Sequence, residues 1–258
     1  MTTDDLHRES SFGQVDVSYQ RHLETVPADD DGPIWMVSIQ RADGTLDSVQ
    51  SVADVAGGEV VLAGDIVRQV DGDGTPWNQL TVVKYPTRRN FCQLIHHPAF
   101  KDHPGFERMR LREAIILGCI PSPSMPVPSN LHVPAWNAVP HPANDDDSPV
   151  VVVHAIRYAD TDWSPEDMAA YAHALAAASV PHGARATRWF AVEGTMIGDG
   201  REWDDVRFTM YPSEAAYMAV VNDLDHILAY ERHRAHLIAD SYTLILRPRI
   251  DRLARSVS

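Results

Sequence analysis

The chain is poor in cysteine, in basic residues and in long apolar runs, and each shortage excludes something. Its 258 residues include two cysteines, Cys92 and Cys119. Neither sits in a Cys-x-x-Cys pair, which argues against a redox couple or a zinc knuckle. The amino-terminal MTTDDLH is acidic, lacks an apolar core and does not read as a secretory signal. Two widely spaced thiols in that setting are expected to be reduced, and the protein cytoplasmic. No run approaches the roughly 20 apolar residues that cross a bilayer. Lys and Arg number 22 against 36 Asp and Glu, a formal net charge of −14. Nucleic-acid binding needs clustered cations, and no basic stripe is present. The acidity reads as solubility. The P-loop, G-x-G-x-x-G, G-x-S-x-G and H-E-x-x-H motifs are also missing, which disfavours nucleotide-dependent chemistry and an α/β-hydrolase triad.

What is present is a repeat. WNQLTVVKYP, Trp77 to Pro86, returns as WDDVRFTMYP, Trp203 to Pro212. Two further anchors keep the same order. An acidic run ending in Asp-Gly-Pro or Asp-Ser-Pro precedes the strand IWMVSIQR, Ile34 to Arg41, and then VVVVHAIR, Val150 to Arg157. FERMR, Phe106 to Arg110, is matched by YERHR, Tyr230 to Arg234. Three ordered anchors indicate a tandem duplication. The expected divisions are a polar, irregular arm over 1–32, a first unit over 33–121, a proline-rich linker over 122–148, a second unit over 149–250 and a tail over 251–258. Proline at the linker's density excludes helix and central strand.

The second unit reads as strand Val150–Tyr158 and helix Ser164–Ser179, with Ser164 as N-cap and Pro165 at the first helical position. Strand Ala184–Glu193, a turn over Gly194–Arg201 and strand Val206–Tyr211 follow. Helices over Ser213–Asn222 and Ile227–Ile238 and a strand over Ser241–Arg247 complete the unit. The order β-α-β-β-α-β is that of the ferredoxin-like split unit. The first unit follows suit with a shorter first helix, Asp47–Ala56, and strands over Glu59–Val67, Asn78–Tyr85 and Ala114–Pro121.

The stretches YPSEAAYM and HILAYERHRA, with YPTRRNF and HPAFKDHPGFER in the first unit, make the chain resemble a small domain family of uncharacterised function in the dimeric α+β barrel superfamily. The resemblance implies an α+β fold in which two ferredoxin-like sheets pack face to face as an intramolecular barrel around a pocket. It also implies a range of chemistries, from cofactor-free oxygenases, isomerases and cyclases to haem enzymes and ligand-binding domains. Fold alone does not choose among them.

Strand periodicity sorts the candidate residues. On Val206–Tyr211 the apolar face, Val206, Phe208 and Met210, is assigned to the helices. The polar face, Arg207, Thr209 and Tyr211, is assigned to the pocket between the sheets. Arg207 aligns with Thr81 and so occurs in one unit only. His154 aligns with Ser38, and Gln40 shares the Ser38 face. In an otherwise apolar strand, His154 is either a hydrogen-bonded core histidine or a general acid or base. Trp189 and Glu193 share a face of their strand, and Glu193 is either a solvated edge carboxylate or a partner for a histidine. Tyr85 and Tyr211, each before a proline, are packing repeats or phenols that orient a ligand. Arg110 and Arg234 read as structural. His96, His97 and His103 in HHPAFKDH match no metal-ligand spacing, so no metal site is assigned. The leading expectation is an enzyme that performs proton transfer or monooxygenation on a small organic substrate without a cofactor. It would use His154, Arg207, Tyr211 and Glu193 for catalysis, and Tyr85, Ser38, Gln40, Thr209 and Trp189 to bind. Haem enzyme and passive ligand carrier are the alternatives, and a homodimer is compatible with either.

Overall fold

A computed structural model describes residues 14–41, 46–97, 114–123, 131–160, 165–229, 231 and 237–257. The Phe106–Arg110 segment and most of Tyr230–Arg234 lie outside these residues, as does His103.

The elements in chain order begin with β1 (Gln14–Val15), α1 (Val17–Thr25), β2 (Ile34–Gln40), α2 (Leu46–Asp54), β3 (Glu59–Asp71), β4 (Gln79–Tyr85), α3 (Arg88–His96) and β5 (Ala114–Ser122). They continue with β6 (Val150–Tyr158), α4 (Pro165–Ser179), β7 (Arg185–Gly198), β8 (Asp205–Tyr211), α5 (Glu214–Val221), α6 (Leu224–Ala229), β9 (Ile238–Asp251) and α7 (Leu253–Ser256). In the first half the strands lie in the order β5-β2-β4-β3, and in the second half in the matching order β9-β6-β8-β7. Two seams join the halves, β3 with β9 and β5 with β7. The pairing of β7 with β8 closes eight strands into a barrel.

Closure explains where the strand expectations fell short. β3, β7 and β9 must pair with a neighbour in each half, so they need extra length. The segment from Gly194 to Gly198, expected to be a turn, is therefore the seam end of β7, with Gly194 opposite Gly118 and Ile197 opposite Ile116. β3 likewise continues past Val67 to Asp71, and β9 begins at Ile238, where helix was expected.

The interior of the barrel holds one apolar cluster. Trp35, Val37, Ile39, Leu80, Val82, Leu117, Val151, Val153, Phe190, Val206, Phe208, Leu244 and Leu246 fill it and are buried. Each such Val, Leu or Phe contributes about 1.5–3 kcal/mol on burial. The tryptophans of the repeated phrase meet there. Trp77 packs edge-on to Tyr242 at 6.1 Å, and Trp203 lies 5.3 Å from the same ring. Arg201 stacks on Trp203 and Tyr242 and is ion-paired to Asp199 and Asp73. Leu253 of α7 inserts into the same core, and the Ser256 hydroxyl accepts a 2.9 Å bond from Trp35 Nε1.

The rest of the repeated phrase caps helices. Tyr85 and Tyr211 end β4 and β8 and pack on Phe91 and Tyr217, at 5.3 and 5.1 Å. Thr87 and Ser213 then serve as N-caps of α3 and α5. The acidic runs supply a further acceptor for each first turn. Asp31 accepts from the Arg88 and Arg89 amides at 2.9 and 3.3 Å, and Asp147 from those of Glu214 and Ala215 at 2.9 and 3.0 Å.

Part of the arm is helical. Asp16 accepts from the Ser18 and Tyr19 amides and so starts α1. Tyr19 and Leu23 of this helix join the helix-side core of the first half. The Tyr19 ring lies over Gly118 and Gly194, cross-strand partners on which any Cβ would overlap it. Replacing Gly194 by Ala is expected to destabilise the fold by about 1–3 kcal/mol, the usual cost of overpacking. In a Tyr19→Ala background the same change should cost less. Urea denaturation of the four proteins of this cycle measures the coupling, and additive effects would count against the contact.

Candidate functional site

A cavity of about 770 Å³ lies between the second half's sheet and helices α4, α5 and α6. This corrects the assignment of the pocket to the space between the sheets. The face of β8 carrying Val206 and Phe208 is the more apolar one, and it is buried in the barrel interior. The alternate face, with Arg207, Thr209 and Tyr211, is left for the helix side. Helices cover a sheet incompletely where Ala169, Ala172 and Ala176 face it, and space remains there.

The floor of the cavity is one cross-strand row. Trp189 on β7 is opposite Arg207 on β8, Arg207 opposite His154 on β6, His154 opposite Thr243 on β9, and Thr243 opposite Asp71 on β3. All five line the cavity. The corresponding row of the first half is Ala63, Thr81, Ser38, Ile116 and Ile197, which carries no ionisable group. The walls are chiefly apolar, with Tyr171, Tyr211 and Tyr217 among them.

Arg207 is the most constrained member of the row. Its side chain is 9% exposed. Nη2 donates to Asp205 Oδ2 at 2.9 Å and to the Tyr158 hydroxyl at 2.5 Å. Tyr158 in turn donates to Asp205 Oδ2. The guanidinium carbon lies 4.2 Å from the centre of the Trp189 ring. A buried cation needs a paired carboxylate and full hydrogen bonding. Here the pair exists, yet Nε is buried with no hydrogen-bond partner among the described residues. An unmet donor of this kind costs about 1–3 kcal/mol.

His154 presents Nε2 to the Tyr217 hydroxyl at 3.5 Å, with the rings edge to face at 6.4 Å. Tyr217 also packs on Tyr211. Asp71 accepts from its neighbour Gly72 N–H at 3.1 Å and from the Ser241 hydroxyl, which fixes its carboxylate at the far end of the row.

Five of the nine residues picked from sequence, His154, Arg207, Thr209, Tyr211 and Trp189, thus line one cavity. Four lie elsewhere. Ser38, Gln40 and Tyr85 belong to the first half: Tyr85 is in its helix-side core, and Gln40 Nε2 bonds Gln79 Oε1 at 2.6 Å. Glu193 does not share the Trp189 environment, because it is the extra residue of a bulge between Val192 and Gly194. Its carboxylate binds Arg88 Nε at 2.8 and 2.9 Å and His22 at 3.0 Å, tying α1 to α3. Both cysteines are free and buried, and burial pushes the Cys92 thiol up to about 12. Among the described residues no group of His, Cys, Asp and Glu could hold a metal, and His96 bonds Glu24 at 2.9 Å. Asp71, Thr243, Ser241 and Tyr217 are the site residues that sequence reading missed. One signal existed: Tyr217 follows Tyr211 by the same interval as Phe91 follows Tyr85.

Neither a protein-family model nor a curated protein matches the chain. Solved structures do. A protein of unknown function from Rhodopseudomonas palustris is 25% identical over 40% of this chain and 85% of its own, with a TM-score of 0.36. An anthrone oxidase-like protein is 12% identical, covering 87% of this chain and 97% of that one at a TM-score of 0.46. A chlorite dismutase from Candidatus Nitrospira defluvii is 13% identical, covering 93% and 99% at 0.46. Among the described residues no helix is long and apolar enough to cross a membrane.

Burial raises the Tyr158 and Tyr211 phenols well above their ordinary range. The unfolded phenol titrates near pH 10. Above about that pH the unfolded chain releases protons that the folded chain retains, so stability should be intact below pH 10 and fall as pH rises further. Phenolate absorbance at 295 nm should therefore show these tyrosines ionising together with unfolding. Titration of every tyrosine before the loss of circular dichroism would contradict their burial.

Proposed function

We propose that the protein is an enzyme acting on a small, largely apolar organic molecule held in this cavity, by transfer of a proton to or from carbon beside a carbonyl or enol. The observation that carries the reading is the row of Arg207 and His154 on the floor of an apolar cavity, set in one half only. His154 takes the proton, as an imidazole suited to work near neutrality. The Arg207 guanidinium, on the cavity floor, stabilises the oxygen on which negative charge develops, where a fixed donor in a dry site acts most strongly. Trp189 and Asp205 hold the guanidinium in place, and Tyr217 orients the imidazole. The resulting enolate is either reprotonated elsewhere, as in an isomerase or cyclase, or oxidised by dioxygen, as in a cofactor-free monooxygenase. Convergence of the polar groups on one row favours catalysis over passive carriage. Within the same reading, the halves are tandem ferredoxin-like units, one of which kept or acquired the chemistry.

Haem, the group that some barrels of this superfamily carry, fits the described residues poorly. Its propionates call for cations at the pocket wall. Arg207 is the one permanently charged cation among the described lining residues and is already paired with Asp205, while Asp71 and Glu231 add carboxylates. No step of the proposed reaction passes through haem.

The test is exchange of α-protons for deuterium in a panel of enolisable ketones and phenols, followed by mass spectrometry. Substituting His154→Ala should lower the catalysed rate by about 10²–10⁴-fold, and Arg207→Gln by about 10²–10³-fold. Wild-type rates in both variants would end the proposal. Haemin titration should leave no one-equivalent Soret change, and a sharp Soret band would restore the haem alternative.

A further inference from the structure

We infer that the ligand lies lengthwise along β8 beneath α4, with its carbonyl at Arg207 and His154 and an apolar tail running toward Tyr211, so that Ala172 and Ala176 set the length of tail the cavity accepts. The inference rests on the proton-transfer reading for the carbonyl end and adds the orientation and its ruler. Arg207, Thr209 and Tyr211 share one face of β8, and all three line the cavity. From Arg207 to Tyr211 the strand rises about 13 Å at about 3.3 Å per residue. α4 follows it in the same direction. Met168 Sδ lies 4.0 Å from Arg207 Nη2, and Ser179, at the end of the helix, lies beside the Tyr211 phenol. The helix between these two contacts spans about 16 Å at about 1.5 Å per residue. Matching contacts at both ends fix the register of this roof on its floor.

Two directions lead away from Arg207 and His154. Across the sheet the floor continues through Thr243, Ser241 and Asp71. An apolar tail laid there would strip water from polar groups and give nothing in return. Along β8 the surroundings are apolar. Ala186 stands opposite Thr209 on β7. Ala184 and Val220 pack in one apolar cluster with Tyr211, and all four residues line the cavity. A tail buried in that direction gains about threefold to fourfold in affinity per methylene. The roof leaves room for it. Ala169, Ala172 and Ala176 fall at i, i+3 and i+7 of α4, on one helix face, and line the cavity. Measured along the helix from Met168, Ala172 stands about 6 Å and Ala176 about 12 Å away. A larger side chain at 176 would close the far end of the path, and one at 172 its middle.

Three ketones that differ in tail length test this: 4′-ethylacetophenone, 4′-butylacetophenone and 4′-hexylacetophenone, with binding to the full-length protein measured by calorimetry. In the wild type the butyl compound should bind about tenfold tighter than the ethyl compound. Ala176→Leu should lower the ratio of hexyl to ethyl affinity by about tenfold and spare the ratio of butyl to ethyl, whereas Ala172→Leu should lower both ratios. Circular dichroism checks that both variants fold. A second measurement needs no variant. 4′-Hexylacetophenone carrying a terminal diazirine, photolysed on the wild-type protein and mapped by mass spectrometry, should label residues 176–186 or 209–220. Ratios that neither substitution moves, or label on residues 69–73 or 241–245 instead, would overturn the inference. The proton-transfer reading is scored separately, by α-proton exchange in His154→Ala and Arg207→Gln. Unchanged exchange together with the expected ratios and label ends that reading and leaves the orientation standing. Lost exchange with unmoved ratios ends the orientation and leaves the reading.

Discussion

Each four-stranded sheet in this protein has one face of Val, Leu, Ile, Phe and Trp that water must not reach, and the two faces bury each other. Most of the structure follows from that constraint. A closed barrel has no free edge to pair with another chain, but it requires two seams, and the seams demand strands longer than one half alone would need. The interior between the sheets is occupied by buried apolar side chains. Polar strand residues are therefore displaced to the opposite face, beneath the helices. The cavity lies on the helix side because the apolar face has already taken the inside.

The two halves use that helix side differently. In the first, α1 lays Tyr19 and Leu23 onto a floor of Ala63, Ile116 and Ile197, and two glycines on the seam admit the tyrosine ring. The Glu193 carboxylate fastens this helix to α3 through Arg88 and His22. In the second half the matching row holds Arg207, His154 and Asp71, groups that are costly to bury unless hydrogen-bonded. The protein meets most of that cost with Asp205, Tyr158, Tyr217 and Ser241.

The repeat, its paired strands and the one-sided occurrence of Arg207 and His154 were all legible in the sequence, because they depend on local spacing and on alignment of the two halves. The pairing of His154 with Arg207 is a matter of register between β6 and β8 and was not predicted. The choice of face was not legible. Alternation separates two faces of a strand but does not say which one a second sheet will cover. That depends on the whole sheet's apolar area, and the inner face proved to be the more apolar one.

The sequence by itself determined most of the elements, their order and the faces of β6 and β8, because backbone geometry acts over a few residues. Only the tertiary structure decided that Asp71 belongs to the second half's site, that Glu193 belongs to the first half's clasp, and that α1 fills one half and leaves the other open. These depend on seam register. A one-residue bulge at Glu193 or a four-residue extension of β3 moves a side chain from one environment to another, and register between strands far apart in sequence leaves no local mark in the chain.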